Sequence, residues 1–353
     1  MNSEQDTLII CMPGFPESEA DTTCLPMQQQ LIRTIKENYP TTGIIVLSFQ
    51  YPYFTKTYNW HGITVMSFDG KNKGGLPRLL RRRKIMSALK MISQQKKIKG
   101  IFSFWYGECA WVAKDFADKN NIKHYCWLLG QDAKKANKDV QRIKLEANEM
   151  IALSNFIQDE FEKNHGTRPK YMIPPGIDAK QFAVSPAAKD IDIIAAGSLI
   201  PLKQFDVLIK VITGIKEHIP GIKAVLIGEG PEKNKLQSLI NELALESNIT
   251  LAGELPHAEV LQYMQRGKLF LHPSSYEGFG VVCIEALAAG CQVISFCRPM
   301  KEDIEHWHIV ADKHAMAKKA LGILQDPASA YRSLHPFSME DTVKKIMELF
   351  GST

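Results

Sequence analysis

The sequence predicts an α/β protein of two Rossmann-like domains, and three observations carry that prediction. Short apolar runs alternate with longer amphipathic stretches along the whole chain, as in mostly parallel sheets covered by helices. The alternation breaks once, at "IPPGIDAKQFAVSPAAKD", where prolines and a glycine disrupt both periods, and it restarts at Ile191. A chain of 353 residues, 45% of them hydrophobic, is long enough to build two cores.

In the first half the expected strands are "TLIICMP", "GIIVLSF", "ITVMSF", "GIFSFW", "HYCWLL", "MIALS" and "YMIPP", and most of the gaps between them can hold a helix. The second half repeats the pattern with "DIDIIAAG", "KAVLIGEG", "NITLAG", "KLFLHPS" and "CQVISF". Between these lie helical stretches such as "KQFDVLIKVITGIKEHI" and "PEKNKLQSLINELALE". The expected domains are residues 1–176 and 177–336, followed by a helical segment, 337–353. Four loops follow strands directly: "MPGFP", "AAGSLIPLKQ", "IGEGPE" and "HPSSYEGFGVV". Each sets a glycine or a helix start at a strand's carboxyl end, where free N–H groups bind phosphate. Taken singly, each is read first as a turn of the kind that punctuates any α/β fold.

Several classes are excluded. The start of the chain shows no basic segment followed by an apolar one, and no run of eighteen apolar residues occurs, so a cytoplasmic protein that does not span a membrane is expected. The seven cysteines form no CxxC pair and are read as reduced thiols, and no Cys or His spacing suits zinc. The net charge is +5, and the positive excess lies in the first half. From Gly70 to Gly107 there are eleven basic residues and no acidic one. Residues 71–99 allow two readings. One is a helix with Leu76, Leu79, Leu80, Ile85, Met86, Leu89 and Ile92 as a buried stripe and a solvated cationic face. The other is contact with an anionic membrane surface. Nucleic acid is not expected, since no binding fold accompanies the charge.

In "HPSSYEGFGVVCIEALAAGCQVIS" two glutamates stand eight positions apart around Gly278-Phe279-Gly280. Together with "AAGSLIPLKQFDVLIKVI", "VLIGEGPEKNKLQSLI" and "YMIPPGIDAKQF", this stretch resembles the family-4 retaining glycosyltransferases, glycosyl transferases group 1, of GT-B architecture. The likeness is specific from Ala152 to Ser295 and looser before it. It implies two Rossmann-like domains facing each other across a cleft, with the last helix crossing back onto the first. The activity it implies is transfer of a sugar from a nucleotide-sugar donor, such as a UDP- or GDP-sugar, to a sugar, glycolipid or lipid-linked acceptor, with no further cofactor.

By that resemblance Glu277 is the catalytic carboxylate, contacting the donor sugar as positive charge develops. Glu285 accepts hydrogen bonds from the ribose, the backbone of Gly278, Phe279 and Gly280 meets sugar and phosphate, and Lys203 holds the diphosphate. Ser198 stands where many members carry an arginine. Leu129 stands where many carry a first-domain histidine, with Asp132 shortly after. Gly14 and Phe15 occupy the place of the first-domain loop that faces phosphate and acceptor, while Asp132 is either an acceptor contact or a helix cap. Asp21 is read as the cap of the helix that follows it, His272 as a packed or hydrogen-bonded strand-end histidine, and "GEGP" as a turn walling the nucleotide pocket. Asp190 and Asp192 spell a DxD, read as a charged strand entrance and not as a metal site. Membrane-peripheral members use a basic amphipathic patch, which favours the inner face of the cytoplasmic membrane for residues 71–99. A sugar-nucleotide epimerase and a non-catalytic nucleotide-sugar-binding subunit remain as alternatives.

Overall fold

The computed structural model describes residues 6–182 and 188–352. The polar start "MNSEQ" and the part of the expected linker at 183–187 lie outside the described residues. The chain forms two compact units, Met1–Gly176 with Met339–Thr353, and Ile177–Ser338.

The first unit contains, in chain order, β1 (Thr7–Gly14), α1 (Pro26–Asn38), β2 (Gly43–Tyr51), β3 (Thr55–Trp60), β4 (Ile63–Phe68), α2 (Gly75–Gln95), β5 (Ile98–Phe104), α3 (Glu108–Asn120), β6 (His124–Leu128), α4 (Asp139–Ile143), β7 (Met150–Ala152), α5 (Asn155–His165) and β8 (Tyr171–Met172). Its sheet runs β3-β4-β2-β1-β5-β6-β7-β8, parallel except for the β3–β4 pair. β1 is central and covered on both faces, which is why its sequence is a continuous apolar run rather than an alternation. Ile9, Cys11 and Leu47 meet Ile85 and Leu89 of α2 and Phe116 of α3 in one core.

α2 buries a narrower stripe than the sequence predicts. Ile85, Leu89 and Ile92 are inside, but Leu76, Leu79 and Leu80 are exposed at 67%, 46% and 47%. Arg81 takes the place of an apolar residue in the first turns, 95% buried, with its guanidinium on Glu108. β3 is also absent from the expected elements. It joins β4 through His61 and Gly62, both at positive φ, the geometry a two-residue hairpin needs.

The second unit contains β9 (Ile191–Ala196), α6 (Phe205–Lys216), β10 (Ala224–Ile227), α7 (Lys233–Glu242), β11 (Ile249–Gly253), α8 (His257–Arg266), β12 (Gly267–His272), α9 (Val281–Ala288), β13 (Gln292–Ser295), β14 (Trp307–Ile309) and α10 (Lys313–Gln325). Its fully parallel sheet runs β11-β10-β9-β12-β13-β14. The chain lays β10 on one side of β9 and β12 on the other, so the strand order reverses between β9 and β12. In open α/β sheets ligands bind outside the carboxyl ends of the strands at such a switch point. The loops that leave those two ends are 197–204 and 273–280.

α11 (Met339–Leu349) returns to the first unit. Thr342 donates to the Pro174 carbonyl at 2.9 Å. Lys123 and Tyr125 donate to the Leu349 carbonyl at 3.1 and 3.2 Å. The Phe350 ring stands edge-on to Phe102 and Tyr125. Gly100 makes room for it, since a Cβ there would lie 2.2 Å from the ring.

Candidate functional site

The two switch-point loops bring Lys203 and Glu277 together. Lys203 closes a short 3-10 turn that begins at Pro201, and Gly197 lies beside its side chain. Ser275 ties the second loop to the first, its backbone N–H donating to the Leu202 carbonyl at 3.0 Å. Lys203 Nζ then stands 2.5 Å from Glu277 Oε1, and His272 Nε2, at the end of β12, lies 3.2 Å from the same oxygen. Burial alone raises the Glu277 carboxyl, but the His272 hydrogen bond and the Lys203 charge outweigh it and bring the pKa to about 2. Burial lowers the His272 pKa against the opposing pull of the Glu277 hydrogen bond and charge. A carboxylate only accepts, so His272 carries its proton on Nε2.

Past Glu277 the chain turns into α9 at Gly280, whose φ of +85° is a left-handed conformation. Phe279 is buried, edge-on to Trp307 and Phe337 with centroids 6.1 and 5.5 Å away, and this ring pins the Gly278-Phe279-Gly280 turn. Glu285 lies on the second turn of α9. His257, the first residue of α8, places Nε2 2.8 Å from Glu285 Oε1. Burial lowers the His257 pKa, but the Glu285 hydrogen bond and charge prevail and raise it. The sequence gives no sign of this histidine's role. It stands 28 positions from its partner, at the start of an ordinary amphipathic helix.

The loops after β9 and β10 pack backbone against backbone. A Cβ on Gly228 would lie 2.0 Å from the Gly197 carbonyl oxygen, and one on Gly230 would lie 2.5 Å from that of Leu199. Gly197 donates to Ile227 at 3.0 Å and Leu199 to Glu229 at 2.8 Å. "GEGP" therefore sets the height of the Lys203 loop. Ser198, between these bonds, is exposed.

The remaining sequence candidates have other surroundings. Asp190 pairs with Arg266, and Asp192 with Lys268 and the Lys223 N–H. Among the described residues no group of three carboxylate, His or Cys side chains is placed to hold a metal. In the first unit Gly14 ends β1, and Phe15 packs edge-on to Trp60 at 4.8 Å. Asp132 is buried and accepts the backbone N–H groups of Tyr106 at 2.9 Å and Leu129 at 2.6 Å. Burial raises its pKa to about 6 against those bonds. Asp21 accepts from the N–H groups of Thr23 and Cys24, capping the turn before α1, whose N-cap is Leu25.

The fold is that of the GT-B glycosyltransferases. It matches sucrose-phosphate synthase from Thermosynechococcus elongatus with a TM-score of 0.73 and 19% identity over 98% of both chains. It also matches the Anabaena HepE protein in complex with UDP-glucose, with a TM-score of 0.72 and 17% identity over 98% of this chain and all of that one.

Residues 177–334, nearly the whole of the second unit, match the family model described as "Glycosyl transferases group 1". In sequence the chain is 31% identical over 164 residues to the phosphatidylinositol N-acetylglucosaminyltransferase gpi3 subunit of Schizosaccharomyces pombe, covering 45% of this chain and 36% of the relative. It is 30% identical over 144 residues to the UDP-N-acetylglucosamine–peptide N-acetylglucosaminyltransferase GtfA subunit of Streptococcus pneumoniae, covering 40% and 28%. The chain thus spans only about a third of the length of the curated relatives it matches.

Proposed function

We propose that the protein is a retaining, metal-independent glycosyltransferase that moves a sugar from a nucleotide-sugar donor to a hydroxyl acceptor in polysaccharide or glycolipid synthesis. The observation that carries this reading is the disposition of two carboxylates around one helix start. Glu277, held by Lys203 and His272, precedes the Gly280 turn, and Glu285, held by His257, lies beyond it. A diphosphate on the N-terminus of α9 and on Lys203 sets the sugar toward Glu277 and the ribose toward Glu285.

As the bond between anomeric carbon and diphosphate oxygen breaks, its electron pair leaves with the diphosphate. Lys203 and the helix N-terminus stabilise that charge without a metal. The ionised Glu277 stabilises the oxocarbenium-like carbon. The acceptor oxygen bonds to the same face, and its proton passes to a phosphate oxygen. Relatives named for phosphatidylinositol favour a lipid acceptor, and an anionic membrane surface suits Leu76, Leu79 and Leu80 beside the exposed Arg83 and Lys84. Each basic residue near such a surface contributes about 1 kcal/mol. Among the described residues no helix is long and apolar enough to cross a membrane.

Calorimetry with UDP- and GDP-sugars tests the donor site. Wild-type protein should bind one of them, and Glu285→Ala should weaken that binding at least a hundredfold. Unchanged affinity would displace the ribose from Glu285. Turnover that disappears in EDTA and returns with Mn²⁺ would overturn metal independence. Undiminished binding of Arg83→Gln/Lys84→Gln protein to phosphatidylserine vesicles would overturn the membrane contact.

A further inference from the structure

The inward side of α2 carries none of the residues assigned to the proposed donor site. Three of its arginines converge on one carboxylate, Glu108 in the first turn of α3. Arg81 Nη2 lies 2.6 Å from Glu108 Oε2, which also accepts from Gln50 at 2.8 Å. Arg82 Nε and Arg78 Nε approach Glu108 Oε1 at 3.4 and 3.8 Å. Neither contact has hydrogen-bonding geometry, and Glu108 Oε1, Arg78 Nε and Arg82 Nε are buried without a hydrogen-bond partner among the described residues. Asp139, at the start of α4, faces Arg78 at 3.6 Å and Arg142 at 3.5 Å.

Four guanidiniums therefore share two carboxylates, an excess of two positive charges, and the N-terminus of α3 adds to it. Arg82 lies over the Trp111 ring, 4.2 Å from its centroid, and burial followed by the neighbouring Arg78 charge lowers its pKa. Leu79, Arg78, Arg82, Trp111, Asp139 and Arg142 line a cavity of about 150 Å³. Ligand pockets for drug-sized molecules run to roughly 300–1,000 Å³, so this one suits a single anionic group and not a nucleotide. Guanidinium forks match phosphate oxygens in pairs, and an unneutralised cationic cluster partly out of water is costly.

We propose that this pocket binds a phosphate group, with Arg78, Arg82 and Arg142 as its donors. Leu79 lines the cavity and is exposed, with Leu76 and Leu80 exposed nearby. A phosphate carried by a lipid would lay its chain over these leucines, whereas a free phosphomonoester would present the same charge without that contact. The proposal stands apart from the donor reading and from the outward-facing Arg83 and Lys84.

The test is calorimetry on the full chain with inorganic phosphate, glycerol 3-phosphate and dihexanoyl phosphatidic acid below its micelle concentration. At least one should bind, about tenfold or more weakly in Arg78→Gln/Arg82→Gln protein, and equally well in Arg83→Gln/Lys84→Gln protein. Should the first variant fail to fold, Arg142→Gln, whose side chain is 66% exposed, should still weaken binding severalfold. Tighter binding of the short-chain lipid than of glycerol 3-phosphate assigns the pocket to a headgroup, and equal binding assigns it to free phosphoesters. No binding of any probe would overturn the proposal. Binding that the inward and outward variants weaken alike would also overturn it, as diffuse surface charge.

Discussion

The surroundings of Glu277 and His257 move their pKa values in opposite directions, each in favour of the charged form, and pH separates them. The Glu277 pKa is depressed to about 2, so its stabilisation is complete above the ordinary carboxylate pKa and is lost as pH falls toward 2. At about 1.4 kcal/mol per unit, the shift corresponds to about 3 kcal/mol. Glu277→Gln protein should lose less stability than wild type between pH 4.5 and 2 in thermal melts. His257 is raised, so its contribution is full below about pH 6.5 and disappears as pH rises through the folded value. His257→Gln should flatten the alkaline side of the stability profile. If Glu285 meets the ribose, the same variant should also weaken donor binding severalfold. Asp132 acts through the backbone it holds. An amide there cannot accept both N–H groups, so Asp132→Asn should cost about 1–3 kcal/mol in denaturant melts. Its loss of activity should follow unfolding and not precede it.

Gly228 and Gly230 act at the scale of elements, because they let two loops share backbone contacts. Alanine at either position must adopt a strongly positive φ and push a carbonyl away, which should cost about 2–3 kcal/mol. Because the Gly197–Lys203 loop would rise with it, donor affinity should fall even where the protein remains folded, and calorimetry of Gly230→Ala checks this. The elements most legible in the sequence are the parallel strands buried on both faces, such as β1 and β9, whose apolar runs have no other use. β3 is not legible, because an edge strand reading "TKTYNW" carries few apolar residues to mark it. β14 is hidden for a related reason, with three residues at an edge of the second unit's sheet. The first turns of α2 mislead in the other direction: leucines at helical spacing suggest a buried stripe, but Arg81 holds the inward position and its salt bridge to Glu108 fills the space. In the proposed donor site, Lys203 and Glu277 on the loops and Glu285 on α9 are picked out by the family resemblance of the glycine-marked stretches that carry them. His257 and the Trp307 wall behind Phe279 are not, because tertiary packing alone brings them there.

For the molecule as a whole, the first unit depends on α11. Phe350→Ala should cost about 3–5 kcal/mol, since the ring fills the space that Gly100 leaves beside Phe102 and Tyr125. A fragment of residues 1–176 should bind a hydrophobic dye that the full chain excludes, and a peptide of residues 337–352 should reduce that binding. Unaltered dye binding would show that α11 is dispensable to the first core.

The return of α11 also has a consequence for synthesis. Its partners Phe102, Tyr125 and Pro174 emerge from the ribosome well before Thr342 and Phe350 do, with the whole second unit in between. The first core thus keeps one hydrophobic slot uncovered while the whole second unit is synthesised, whereas the second unit draws all its strands from one continuous stretch. Closing a loop of more than 160 residues adds only a slowly growing entropy cost, but the waiting time is set by elongation at roughly 5–20 residues per second. For roughly 9–35 seconds the unit that begins first waits for the helix that closes its core.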